Sequence, residues 1–312
     1  MVCSDYEKHT VGGFATSPVA DSDNAPDDDF LTAVKGFSIE IGASELESLT
    51  RSAHLLPENT EVFLNVLPRD GIEERIRLCK QVKSIGLRPV PHIAARKLAE
   101  KREVQQTLDK FMQQSGATDF LIVAGDYSKP AGEIADAVEF IQLIKPGDSR
   151  VRRIGITGYP EGHPEITEAK LDEALKDKIT VLRSLGIEPF VVTQFSFNAD
   201  AIMGWCKKLH SRYPDIQIKV GVPGPAKLTT LIRFAQRCGV RSSMKKLKGL
   251  PVSSSLKLMQ RVPPLNQALA VGNYRNEQND NATLHFFTFG GLEASLEWIR
   301  SEVSARITGG EQ

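Results

Sequence analysis

The segment Gly158-Tyr159-Pro160-Glu161-Gly162-His163-Pro164-Glu165 packs four side chains able to bind ligands or carry protons among two prolines and two glycines. Such a loop keeps little conformational freedom, so Tyr159, Glu161, His163 and Glu165 are presented in fixed directions. A metal site built on His163 and these carboxylates is not expected, because no second histidine stands nearby. Glu40 lies between Ile39 and Ile41 in an apolar run. A carboxyl group there points to an interior, where burial disfavours its charge and raises its pKa toward that of a general acid. The competing reading is a structural hydrogen bond to a neighbouring strand. Asp126 follows Gly125 at the end of the apolar run DFLIVAG. Glycine there permits a positive φ or the close approach of a ligand. A plain helix cap would also use an aspartate, but Tyr127, Ser128, Lys129 and Pro130 delay any helix. Gln194 closes Val-Val-Thr-Gln-Phe and offers a donor and an acceptor to the edge of a heterocycle. His92, after Pro91, suits either a ligand contact or a structural hydrogen bond.

These residues share one position: each sits in or just after a short apolar run. The runs are residues 36–41, EVFLNVL from Glu61, RPVPHIA from Arg88, DFLIVAG from Asp119, RRIGITG from Arg152, EPFVVTQF from Glu188, IQIKVGVPG from Ile216 and TLHFFTFG from Thr283. Their β-branched and aromatic content reads as strands. Amphipathic helical stretches lie between them. In residues 72–86, Ile72, Ile76, Cys79 and Val82 fall at helical spacing, and Gly86 supplies a left-handed stop. Gly186 and Gly239 end two further helices, and another starts near Glu133 and stops before Pro146. About eight strands alternating with about eight helices predict an α/β (β/α)8 TIM barrel over residues 35–312. A doubly wound sheet is second, because no GxGxxG follows the first strand. In a barrel the active site lies at the strand C-termini, where the polar residues above are found.

Composition narrows the class. The 312 residues carry 39 Lys+Arg against 39 Asp+Glu, so no general nucleic-acid or anionic-membrane binder is expected. No apolar run approaches a membrane-spanning length, and the N-terminus shows no secretory pattern. Cys3, Cys79, Cys206 and Cys238 form no CxxC pair and read as reduced thiols of a cytoplasmic protein. Residues 1–34 hold Asp5, Glu7, Asp21, Asp23, Asp27, Asp28 and Asp29 against Lys8 and predict a disordered acidic arm. Residues 240–282 break the rhythm and read as an elaborated connection between the last two strands. Its Lys245, Lys246 and Lys248 suit a solvated face better than a phosphate or polyglutamate site.

Taken together, the motifs resemble the methylenetetrahydrofolate reductase family of flavin-dependent barrels from about residue 36 to 303. Residues 158–165 resemble the family's YPE-x-HPE loop, and Thr193-Gln194-Phe195 its TQ-aromatic strand end. Gly125-Asp126 matches a Gly-Asp pair, Ser38-Ile39-Glu40 the first-strand acid, and Leu284-His285-Phe286-Phe287-Thr288 the last strand. The resemblance implies FAD at the strand C-termini and interconversion of 5,10-methylenetetrahydrofolate and 5-methyltetrahydrofolate in one-carbon metabolism. It implies that Glu40 is the acid that opens the folate ring. Asp126 would sit by flavin and pterin, and Gln194 would bind the pterin. His92, Gly125, Gly158, Tyr159, His163 and Lys178 would contact FAD. The sequence departs from the family at Ile41-Gly42-Ala43, Leu67-Pro68, Ala124, the loop after Val222-Pro223-Gly224, where the stacking aromatic falls near Leu228, and Phe289-Gly290-Gly291. The changed loops leave NADH or NADPH open as donor. No regulatory C-terminal domain is expected, and a homo-oligomer is compatible with the sequence. Two alternatives stay in view: a barrel lyase or aldolase, for which no Schiff-base lysine stands at a strand end, and a non-catalytic folate- or flavin-binding subunit serving a partner.

Overall fold

The computed structural model describes residues 28–65, 67, 70–125, 129–148, 150–240, 261–277 and 281–309. Eight parallel strands close into a barrel in spatial order β1-β8-β7-β6-β5-β4-β3-β2. They are β1 (Ser38–Ile41), β2 (Glu61–Leu64), β3 (Arg88–Ala94), β4 (Asp119–Val123), β5 (Arg153–Gly158), β6 (Glu188–Thr193), β7 (Gln217–Pro223) and β8 (Ala282–Phe287). Helices α1 (Asp29–Val34), α2 (Leu46–Ser52), α3 (Ile72–Ser84), α4 (Glu103–Ser115), α5 (Ala137–Gln142), α6 (Glu168–Ser184), α7 (Ala199–Arg212), α8 (Leu228–Arg237), α9 (Leu265–Glu277) and α10 (Leu292–Gly309) surround it. The chain is therefore a (β/α)8 barrel, as its alternating runs predict.

Alternation along each strand sorts the core into two parts. Ile39, Ile41, Val62, Leu64, Ile154, Ile156, Ile218, Val220, Leu284 and Phe286 pack outward with the helices in one large cluster. The residues between them turn inward, because successive side chains of a strand face opposite sides. Phe63, Val90, Leu121, Phe190 and Val192 form a separate apolar layer inside the barrel. Gly155 makes room for it: a Cβ there would stand 2.6 Å from the Phe190 ring. Below this layer the inward residues are charged, and above it they are Glu40, His92 and Phe287.

Helix ends follow simple backbone rules. Gly86, Gly186 and Gly239 have φ of 79°, 72° and 68°, the left-handed stops expected from the sequence. α5 starts later than the predicted Glu133, because Asp136 caps it through the Glu139 amide. The predicted acidic arm is corrected at its end. Residues 29–34 form α1, capped by Asp28, whose side chain accepts from the Phe30 and Leu31 amides. Phe30 is fully buried, edge-on to Trp298 at 5.4 Å and beneath the Arg306 guanidinium at 4.5 Å. Burying such a side chain contributes on the order of 2 kcal/mol, which outweighs the local acidity. Residues 1–27 lie outside the described residues, as do Cys3, Lys245, Lys246 and Lys248.

Candidate active site at the barrel mouth

Three strands bring three titratable side chains together. Glu40 of β1 has its Oε2 3.6 Å from His92 Nε2 of β3 and 3.6 Å from His285 Nε2 of β8. The histidines are 7% and 0% exposed, whereas the Glu40 side chain keeps 14% of its surface at the mouth. Phe63 forms the floor, with its ring 4.6 Å from His285 and 6.1 Å from His92. Phe287 stands edge-on to His285 at 5.0 Å, on the side toward the strand ends. Ser38 Oγ lies 2.9 Å from His285 Nδ1. With Ser38 as donor, His285 carries its proton on Nε2 and turns it toward Glu40.

The electrostatics correct one sequence expectation. Burial does oppose the charge on Glu40, but the nearby His92 and His285 rings and the Asn65 side chain outweigh it. The Glu40 pKa therefore lies below the ordinary 4.5, not above it. Both histidines are pushed the other way. Burial brings His92 down to about 4 against the pull of Glu40, and burial also lowers His285. At neutral pH the cluster is a carboxylate flanked by two neutral imidazoles. Among the described residues, His92 Nε2 and His285 Nε2 have no partner closer than the 3.6 Å approach to Glu40.

Gly125, Gly158, Tyr159, His163 and Gln194 lie at or beyond strand ends. Gly158 ends β5, and Tyr159 and His163 follow it, half-buried and edge-on to each other at 5.5 Å. The turn closes through the Gly162 amide on the Tyr159 carbonyl, with Gly162 at φ 77°. His163 Nδ1 accepts from the Glu165 amide, and Glu161 accepts from Ser196 Oγ at 2.5 Å, so these groups serve the loop itself. Gln194 extends β6: its amide donates to the Gly158 carbonyl, and its Oε1 accepts from the Phe195 amide at 3.0 Å. Gly125 has φ 96°, a left-handed conformation that glycine holds without strain. Asp126 lies outside the described residues. Lys178 sits on α6, 8% exposed, and burial lowers its pKa to about 8 although Asp136 partly restores it.

The structure adds residues that the motifs did not single out for chemistry. His285 occurs in the last-strand motif, and its inward position was readable from the alternation Leu284, His285, Phe286. Ser38 enters the first-strand motif only as a neighbour of Glu40, and Asn65 only as a residue of the second run. Their roles come from the register that sets Ser38 opposite His285 and Glu40 opposite Phe63. The interior lysine, Lys219, pairs with Glu61 at the other end of the barrel, so it offers no Schiff-base amine to the mouth. Among the described residues no group of three or more His, Cys, Asp or Glu could hold a metal ion, and no helix is long and apolar enough to cross a membrane. Two hollows lie away from the mouth. One of 450 Å³ borders Asp172 and Trp205 between α6 and α7, and one of 720 Å³ opens beneath the barrel beside Glu61 and Lys219.

For a flavin the rim offers backbone free of a Cβ at Gly125 and the Tyr159–His163 pair for aromatic contact. The orphaned imidazole nitrogens beneath suit the polar edge of a second heterocycle. These groups fit the edge of a planar, polar heterocycle.

Comparison with known proteins places the chain in a family. Over 133 residues the chain is 32% identical to Methylenetetrahydrofolate reductase 2 of Saccharomyces cerevisiae, covering 39% of this chain and 21% of that protein. The chain thus spans about a fifth of the curated relative it matches. Solved barrels are more distant. The deoxyribose phosphate aldolase of Aeropyrum pernix superposes with TM-score 0.45 at 12% identity, covering 89% of this chain and 100% of that one. The dihydropteroate synthase of Thermus thermophilus gives 0.47 at 11%, covering 86% and 93%. These likenesses are too weak to bear on function. The family model described as Methylenetetrahydrofolate reductase matches residues 43–255, from just after β1 to beyond α8. With more than half its length inside that match, the chain belongs to the methylenetetrahydrofolate reductase family.

Proposed function

We propose that this chain is a flavin-dependent oxidoreductase that interconverts 5,10-methylenetetrahydrofolate and 5-methyltetrahydrofolate in one-carbon metabolism. The observation that carries the reading is the Glu40–His92–His285 cluster at the mouth of a barrel of this family. FAD, when bound, supplies the hydride. Gly125, Gly158, Tyr159, His163 and Lys178 would hold it, with Asp126 beside it and beside the pterin. Gln194 would read the pterin edge through its amide.

Glu40 is the proton donor that opens the folate ring, and its neighbours set how it works. In the open barrel His92 and His285 hold it as the anion. A folate over the mouth removes its last exposed surface and strengthens burial, the force that favours the protonated acid. The two neutral imidazoles then keep that acid oriented. Phe63 seals the cluster from the charged layer below, so the proton exchanges through the mouth.

Methyltetrahydrofolate formation from methylenetetrahydrofolate tests the reading, with NADH, NADPH or dithionite as reductant. A positioned general acid contributes roughly 10²–10⁴-fold, so E40Q loses that much turnover while FAD binding, read by absorbance, is retained. The wild-type rate should climb as pH falls toward 5, because the protonated fraction of Glu40 rises. Full turnover in E40Q removes Glu40 from the acid role.

A further inference from the structure

The lower end of the barrel holds more positive than negative charge. Glu61 accepts from Arg88, Arg153 and Lys219, and Asp119 accepts from Arg152 and Arg153, so four cations share two carboxylates. Lys219, Arg153, Glu61 and Asp119 are all buried. Burial opposes the charge on Lys219, yet with that amine neutral three guanidinium groups still face the two acids. Charge taken out of water is costly unless it is balanced. The apolar layer of Phe63 and Phe190 separates this end from the carboxylate of Glu40.

The excess faces the hollow of 720 Å³ at the N-terminal ends of the strands. Arg88, at the start of β3, lines that hollow and keeps 38% of its side chain exposed. Its Nη2 is bonded to Glu61, whereas its Nε makes no hydrogen bond and stands 3.9 Å from Asp119. Gln217, at the start of β7, accepts from Arg153 through Oε1 at 3.0 Å, which leaves its NH2 group as a donor to the hollow. Thr283 of β8 stands opposite Lys219 in the ladder, buried, and its Oγ1 has no hydrogen-bond partner among the described residues. Buried polar atoms without partners are uncommon and mark places where a water or an ion belongs. At the rim, Lys35 is exposed and pairs with no carboxylate among the described residues. Lys35 and Arg275 offset the rim acids Glu58 and Asp29, so the inner excess of positive charge stands.

We propose that this lower hollow binds a small polyanion, a phosphate ester or a polycarboxylate, with Arg88, Lys35 and Gln217 as its contacts. A guanidinium fork matches the paired oxygens of either group, and the buried cations behind it attract charge across a medium that screens poorly. The hollow lies at the opposite end of the barrel from Glu40, so such a ligand does not compete with a folate. Its existence does not depend on the reaction assigned to the mouth.

The test titrates the full chain with inorganic phosphate, with citrate and with chloride at equal ionic strength, reading the melting temperature and, for phosphate, the phosphorus NMR line width. Phosphate or citrate should raise the melting temperature along a saturating curve that chloride does not reproduce, and the one that saturates at the lower concentration identifies the preferred group. R88Q should weaken the apparent affinity about tenfold or more, the loss of a charge-assisted contact. K35E should weaken it about fivefold, and E61Q, which removes a competing negative charge, should tighten it. A linear rise shared by the wild type, R88Q and K35E is the general effect of excluded salts and overturns the proposal. No rise with either polyanion, or a phosphorus line equally broad in the wild type and R88Q, overturns it as well. If R88Q does not fold, K35E decides, because Lys35 is exposed and outside the buried cluster, and unchanged affinity there overturns the proposal. Failure of the reaction assigned to the mouth looks different: turnover is then missing while the saturating curve stands.

Discussion

Glu61 and Glu40 are buried carboxylates in the same barrel, one layer of aromatic side chains apart, and they behave in opposite ways. Glu61, at the start of β2, accepts from Arg88, Arg153 and Lys219. Asp119 joins it, bonded by Arg153 at 2.7 Å and by Arg152. Burial raises the Glu61 pKa, but Lys219, Arg153 and Arg88 overcome it and hold the group at about 2. Permanent cations surround that acid, so it has no protonation change within reach of physiological pH. Among the described residues Glu40 has two neutral imidazoles and the Asn65 amide as partners, and a strip of open surface. A buried carboxyl group locked by guanidinium and ammonium is structural, whereas one flanked by imidazoles can exchange a proton. In barrels the N-terminal end serves stability and the C-terminal end chemistry, and here the change of partners between the two layers is the physical form of that division.

Breaking the lower cluster should have the largest effect on stability. E61Q leaves Lys219 and Arg153 short of their counter-charge in the interior, at a cost of about 3–5 kcal/mol in a denaturant melt, with ligand contacts at the mouth untouched. The wild type should show the linked pH dependence. The Glu61 pKa is lower folded than its ordinary 4.5, so its contribution is complete above 4.5 and fades as pH falls toward about 2. At about 1.4 kcal/mol per pH unit this share is roughly 3 kcal/mol, measurable as acid destabilisation that E61Q lacks.

The upper cluster should respond more gently and at higher pH. The His92 pKa is about 4 folded against an ordinary 6.5, so the folded state favours the neutral ring. Its contribution is present above 6.5 and is lost as pH falls through that window toward 4. Proton-detected titration should show the His92 ring neutral down to about pH 5, and H92Q should remove that part of the acid destabilisation. A His92 signal titrating near 6.5 would contradict the burial seen here. A surface pair sets the lower limit of the comparison. Arg183 bonds both oxygens of Asp215 at 2.7 Å, yet both side chains are largely exposed, and R183A should change stability by less than about 0.5 kcal/mol.

Much of this was legible before any coordinates. The runs from Glu61, Arg88, Asp119 and Glu188 are strands beginning at those residues, and Gly86, Gly186 and Gly239 stop their helices. These features are local: strand periodicity and a glycine at positive φ need no distant partner. The fate of residues 28–34 was not legible, because acidity signals solvent locally while Phe30 is captured by Trp298 from the far end of the chain. The closeness of His92 to Glu40 was equally hidden, since the two stand on different strands. The sign of the Glu40 shift was missed for the same kind of reason. Burial of an isolated acid raises its pKa, and the opposing groups, His92, His285 and Asn65, lie elsewhere along the chain.

Sequence alone determined which residues turn inward, since alternation along β1, β2 and β8 places Glu40, Phe63 and His285 on one side whatever the barrel's closure. Tertiary structure decided which of those inward residues meet. Closing the ring pairs β1 with both β2 and β8 in a definite register. That register stacks a charged layer, an aromatic layer and a proton-exchanging layer in order. A carboxyl group's chemistry depends on what lies within a few ångströms of it, and those neighbours are supplied by strands far away along the chain.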